Sequence, residues 1–81
     1  MQYVYIIKNK INQYYVGVTW NIPKRINEHN SGLSKSTSYK RPWKLVFYSA
    51  FPTRDHAEEF EKYLKTHSGK AFLNKRLIKS Q

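Results

Sequence analysis

Between Thr19 and Ile22 the hydrophobic pattern changes period, and few small folds can accommodate that change. Up to Thr19 side chains alternate, with Tyr15, Gly17 and Thr19 on one face of a strand and Val16 and Val18 on the other. After it, Ile22, Arg25, Ile26, His29 and Leu33 recur three or four residues apart, the spacing of a helix with one stripe turned inward. Lys24, Asn27 and Glu28 fall on the opposite side. Two members of the inward stripe, Arg25 and His29, are polar where a simple core helix carries Leu or Ala, which marks a candidate site.

The remaining segments fit around this strand-to-helix junction. Tyr3–Ile7 reads as a first strand, and Asn9–Gln13 is short enough to be a hairpin turn leading into a second, antiparallel strand over Tyr14–Thr19. Asn21 can cap the helix and Pro23 belongs in its first turn; Ser31-Gly32 stops it near Asn30. The Ser/Lys-rich segment from Ser31 to Arg41 is either a plain linker or a loop that orders on phosphate. A third strand is centred on Leu45–Tyr48 and ends at Pro52; Thr53 caps a second helix of roughly Arg54–Lys65. Ala57, Phe60, Glu61 and Leu64 form its inward stripe, and Glu58 with Lys62 makes an exposed i,i+4 pair. After a Ser68-Gly69 break, a short third helix spans about Lys70–Ile78. The fold predicted is a layered α/β (α+β) domain: a central three-stranded antiparallel sheet flanked by helices, one domain over residues 1–81.

Fifteen basic against five acidic residues give +10 on a small surface, which favours a polyanion as partner, nucleic acid first. Lys35, Lys40, Arg41, Lys44, Lys70, Lys75 and Arg76 are the candidate phosphate-binding residues, a solvated face being the alternative. Seven tyrosines exceed what so small a core needs, and phenols that stay partly wet tend to lie at binding surfaces. The chain has no cysteine, which excludes disulfides and thiolate zinc, and three dispersed histidines make any zinc site improbable. No leader or long apolar run stands out, so a soluble, cytoplasmic protein is expected.

Cleaving a phosphodiester needs a hard-cation ligand, a cationic group for charge developing on phosphorus, and a group that holds or deprotonates the attacking water. Tyr5, Tyr15, Arg25, His29 and Glu61 offer one set of such groups. Each also has a plainer reading: cross-strand packing for the tyrosines, an edge residue covering Ile22 for Arg25, a hydrogen-bonded core histidine for His29, and a salt bridge to a lysine for Glu61. A free phenol titrates near 10, and neighbouring cations would lower that.

In order and spacing these residues resemble the GIY-YIG nuclease family, most closely its small stand-alone bacterial members, and also the amino-terminal nuclease domain of the excision-repair incision subunit. Tyr3-Val4-Tyr5 stands for the first tripeptide and Tyr15-Val16-Gly17 for the second, with Thr19 following, Arg25 ten residues past Tyr15, His29 one turn later, Glu61 on the next helix and Asn74 near the carboxy end. The first tripeptide departs from the name, having Tyr for Gly and Val for Ile, but keeps its final tyrosine. The resemblance implies a divalent-metal-dependent endonuclease cutting DNA, in one form structure-specific and tied to DNA repair. Arg25 would be the transition-state stabiliser, Tyr5 or Tyr15 the water-activating group, and Glu61 the sole carboxylate ligand of one Mg²⁺ or Mn²⁺. Thr19 and Asn74 would be supporting residues. The rival readings are a catalytically silent nucleic-acid-binding module and a nuclease subunit that needs a protein partner; RNA is not distinguished from DNA. Many family members add a DNA-reading domain for which these 81 residues have no room, so target choice is unexplained.

Overall fold

The computed structural model describes residues 1–33 and 40–77. The elements run β1 (Gln2–Lys8), β2 (Tyr14–Thr19), α1 (Ile22–Ser31), β3 (Lys44–Phe51), α2 (Arg54–Leu64), α3 (His67–Phe72) and a π-helical turn over Leu73–Leu77. The sheet order is β2-β1-β3, both pairings antiparallel, so β1 is central and β2 is an edge.

Alternation along β1 gives the sheet two unlike faces. Val4 and Ile6 point to one, where they pack with Ala57 and Leu64 of α2, with Leu73, and with the partly buried Val16, Val18, Phe47 and Phe60. Tyr5 and Ile7 point to the other, packing with Trp43, Tyr15, Leu45 and Ile26 of α1. Opposite Ile6 and Ile7 the register of β3 slips, with Ile6 facing Phe47 and Ile7 facing Leu45. This bulge sends Val46 to the aliphatic face. One helix thus covers each face: α2 an aliphatic layer, α1 an aromatic and polar one.

The ends of these elements follow local chemistry. Asn21 Oδ1 accepts from Lys24 N at 3.1 Å and caps α1, with Pro in the first turn and Gly32 closing the helix in the left-handed region. Thr53 caps α2 by accepting from His56 N at 3.2 Å. In the β1–β2 turn, buried Asn9 accepts from Ile11 N and Gln13 N through Oδ1, replacing ladder bonds lost where the chain reverses. Asn30 holds the carboxy end of α1 to the start of β3, accepting from Trp43 N at 2.6 Å and donating to Trp43 O at 3.0 Å.

Three sequence expectations are corrected. Leu33 is 75% exposed rather than on the inward stripe, because α1 stops at Ser31 and the stripe ends with it. Glu58 pairs with Arg54, at 2.9 Å, and not with Lys62. Ser68-Gly69 is no break: α3 begins at His67 under a Thr66 cap, and Gly69 is buried inside it, where a Cβ would lie 1.7 Å from the carbonyl oxygen of Tyr63. That glycine is a packing residue that lets α3 fold back against α2.

Candidate active site at the edge strand

Because β2 is an edge strand, side chains from both faces can meet around its rim, and the site is built there. Tyr5 reaches it from the central strand across Gly17, its cross-strand partner. A Cβ on Gly17 would come within 2.5 Å of the Tyr5 hydroxyl and 2.7 Å of its Cζ, so the phenol occupies the space a side chain would fill. This is the physical requirement for glycine in the second tripeptide.

Tyr5 is 1% exposed and His29 fully buried, and the phenol oxygen lies 2.8 Å from His29 Nε2. Arg25, one turn before His29 on α1, lies close enough to the Tyr5 hydroxyl to act on its titration, and its Nη1 donates to Glu28 Oε1 at 2.8 Å. Guanidinium has only donors. The phenol oxygen can take a donor from Arg25 as well, and it shares a hydrogen bond with His29 Nε2 whose direction the imidazole tautomer sets. The result is a cluster in which Glu28 holds Arg25 beside Tyr5, and Tyr5 is bonded to His29. Tyr15, half-buried on β2, closes the cluster with its ring centroid 5.0 Å from that of His29 and 6.3 Å from that of Tyr5.

Titration follows from this packing. Burial pushes the Tyr5 phenol up to about 12, against the lowering effect of the Arg25 hydrogen bond. That reverses the sequence expectation that nearby cations lower it, since desolvation outweighs them in so closed a setting. Burial lowers His29, and the Arg25 charge adds to the effect, so the imidazole is neutral. Arg25 is raised, chiefly by its bond to Glu28, and Glu28 is lowered by Arg25 in turn. Glu28 thus faces the site, not the opposite side of α1 that the helical pattern assigned to it. Its i,i+3 spacing from Arg25 was the available signal.

Glu61 comes from α2 on the other face. Its side chain is 21% exposed, its Oε2 accepts from Lys65 Nζ at 2.9 Å, and its charge acts on the Tyr5 phenol. Among the described residues no three His, Cys, Asp or Glu side chains gather as a metal cage. A hard cation such as Mg²⁺ is content with one or two carboxylates, filling its remaining positions with water and substrate phosphate. A lone, part-buried glutamate whose partner lysine is 56% exposed fits that demand, because an exposed ion pair is worth only about 0–1 kcal/mol and exchanges readily.

Beside Arg25 lies a hollow of about 240 Å³ lined by Thr19, Lys24, Glu28 and Arg54 among others. Thr19, 8% exposed, bonds locally, accepting from Asn21 N and donating to Asn21 O. Asn74 is exposed on the π-helical turn and takes no part in the hydrogen bonds around Tyr5. The basic residues fall into groups. Lys40, Arg41 and Lys44 join Lys8 and Lys10 around two adjoining hollows at the β1–β2 turn, while Lys70 lines a hollow with Tyr14, Tyr15 and Lys65. Lys75 and Arg76 are exposed on the π-helical turn, and Lys35 lies outside the described residues. Lys24 and Arg54, absent from the sequence-based set, stand next to Arg25. No helix among the described residues is long and apolar enough to cross a membrane.

Comparison with known proteins bears on the family and the fold. Residues 1–76 match the model of the GIY-YIG catalytic domain. The chain is similar to the UPF0213 protein CPE1444 of Clostridium perfringens, with 42% identity over 80% of this chain and 71% of that one. It is similar to the UPF0213 protein YazA of Bacillus subtilis, with 38% identity over 78% of this chain and 65% of that one. The solution NMR structure of the UPF0213 protein BH0048 from Bacillus halodurans superposes with a TM-score of 0.54 at 35% identity, covering 90% of this chain and 82% of that one. This chain therefore belongs to the GIY-YIG family of nuclease-type catalytic domains.

Proposed function

We propose that this protein is a divalent-metal-dependent endonuclease that hydrolyses DNA phosphodiester bonds at the rim of β2, using Tyr5, Tyr15, Arg25, His29 and Glu61. The observation that carries the reading is the buried Tyr5–His29 hydrogen bond with the part-exposed Arg25–Glu28 pair beside it, set under the half-buried Tyr15.

The two tyrosines take different roles. Tyr5 is sealed and hard to ionise, so it positions Arg25 and His29. Tyr15 is the phenol that solvent can reach; its oxygen accepts from the attacking water and turns the water's lone pair toward phosphorus. Arg25, with a side chain 33% exposed, donates to the non-bridging phosphate oxygens as their charge grows. Glu61 would hold the Mg²⁺ or Mn²⁺ ion, which when bound supplies electrophilic stabilisation of the phosphate. Lys70, Lys40, Arg41 and Lys44 serve the flanking backbone.

The test compares wild type with Glu61→Ala on branched, nicked, single-stranded and plain duplex DNA, with Mg²⁺, Mn²⁺ or chelator, scoring cutting and retention separately. Metal-dependent cutting that the substitution abolishes, with retention intact, is the result this reading requires. Retention without cutting by either protein on every substrate identifies a binding module instead.

A further inference from the structure

Trp20 has no part in either core, yet 63% of it is exposed between β2 and α1. It lines two hollows at once. One is the 240 Å³ hollow of Lys24, Arg25 and Arg54, where Lys24 Nζ lies 5.9 Å from the indole centroid. The other, about 420 Å³, is lined by Tyr3, Ile22, Pro23, Leu45 and Tyr48 as well as Trp20 and contains no charged residue. In it the Tyr3 and Tyr48 rings meet edge to face, 6.1 Å between centroids, and Tyr48 is 56% exposed.

We propose that the hollow of Trp20, Tyr3 and Tyr48 is a stacking subsite for an unpaired nucleobase in the strand whose phosphate lies at Arg25. The occupant follows from charge complementarity. The first hollow is lined by Lys24, Arg25 and Arg54; Arg25 is paired with Glu28 and Arg54 with Glu58, and the charge of Lys24 leaves the wall net positive, so it takes an anion. The second presents flat aromatic surface, so it takes a planar apolar group, and the two share a wall. A nucleotide joins an anion to a planar ring through one sugar, whereas an apolar protein segment would leave the cations unanswered. Duplex pairing hides the faces of bases, so the subsite accepts single-stranded stretches, flaps or displaced nucleotides. The inference rests on the nucleic-acid reading of the site but not on cutting.

Trp43 is 5% exposed, which leaves Trp20 as the indole whose fluorescence a ligand can reach. The probes are a single-stranded oligothymidine, an abasic strand of equal length and charge, and the matching duplex, titrated in chelator so that nothing is cut. The oligothymidine should quench Trp20 and bind on the order of 10-fold tighter than the abasic strand. Trp20→Ala and Tyr48→Ala should each remove most of that difference while leaving abasic binding unchanged, and Trp20→Phe should restore it. Equal binding of the two strands, or equal losses on both in Trp20→Ala, overturns the proposal. Self-association through this face that Trp20→Ala abolishes, without base-dependent binding, also overturns it. Wild-type cutting with Mg²⁺ is scored apart: base-dependent binding without cutting keeps the subsite and defeats the nuclease reading, and cutting without base-dependent binding does the reverse.

Discussion

Gly17 and Tyr5 show how closely single residues determine this site. An alanine at 17 would intrude on the Tyr5 hydroxyl, and the phenol must swing away from Arg25 and His29. Gly17→Ala should therefore lower the cutting rate roughly 100-fold, the scale of a misplacement of about 1 Å, with a circular dichroism spectrum like that of wild type. Glu28 acts through Arg25: Glu28→Ala should reduce kcat on the order of 10-fold with little change in KM, and Glu28→Gln, which can still accept from Nη1, should recover part of it. Burial also gives the fold a pH signature. His29 is lowered, so the unfolded chain binds more protons below about 6.5, and stability falls as pH drops through that value toward the folded pKa. Tyr5 is raised to about 12, so the folded state keeps a proton the unfolded chain gives up, and stability falls again as pH rises from about 10 toward 12. Urea midpoints measured across pH should show both limbs, with His29→Gln removing the acid one and Tyr5→Phe the alkaline one.

Among the elements, α1 contributes most, since it carries Arg25, Glu28 and His29 and is tied at its far end by Asn30. Asn30→Ala leaves the Trp43 backbone groups without that partner and should cost about 1–3 kcal/mol, read as a lower urea midpoint. What could be read from sequence at this scale obeyed local rules. Strand alternation gives β2 to the residue, and the Asn21 and Thr53 side chains announce the helices they cap. What could not be read depended on distant partners. Gly69 resembles a helix breaker until the Tyr63 carbonyl against it is known, and Glu58 has two basic neighbours at equal spacing, between which only the structure chooses. The convergence of Arg25 and His29 was legible as polar residues on an apolar stripe. The depth of Tyr5, and hence the direction of its titration, was not, because periodicity gives the face of a strand but not how tightly that face is covered.

Over the whole molecule charge is segregated. Four of the five acidic residues lie on α2, and the fifth, Glu28, is paired inside the site, leaving Lys8, Lys10, Arg41 and Lys44 around the β1–β2 end without a carboxylate partner among the described residues. Nucleic-acid binding should fall steeply with salt, and reversing Lys10 and Lys44 to glutamate should flatten that slope while leaving the turnover of bound substrate near wild type. The α2 helix carries Glu61 on the opposite face of the sheet, near enough for its charge to act on the Tyr5 phenol, and the proposed nuclease needs that carboxylate to hold the ion beside the tyrosines. Paramagnetic broadening by Mn²⁺ in the NMR spectrum of the protein tests it. The ion should broaden the ring signals of Tyr5, Tyr15 and His29, and Glu61→Ala should abolish the effect; broadening centred on Asp55 or Glu59, or unchanged in Glu61→Ala, would contradict it.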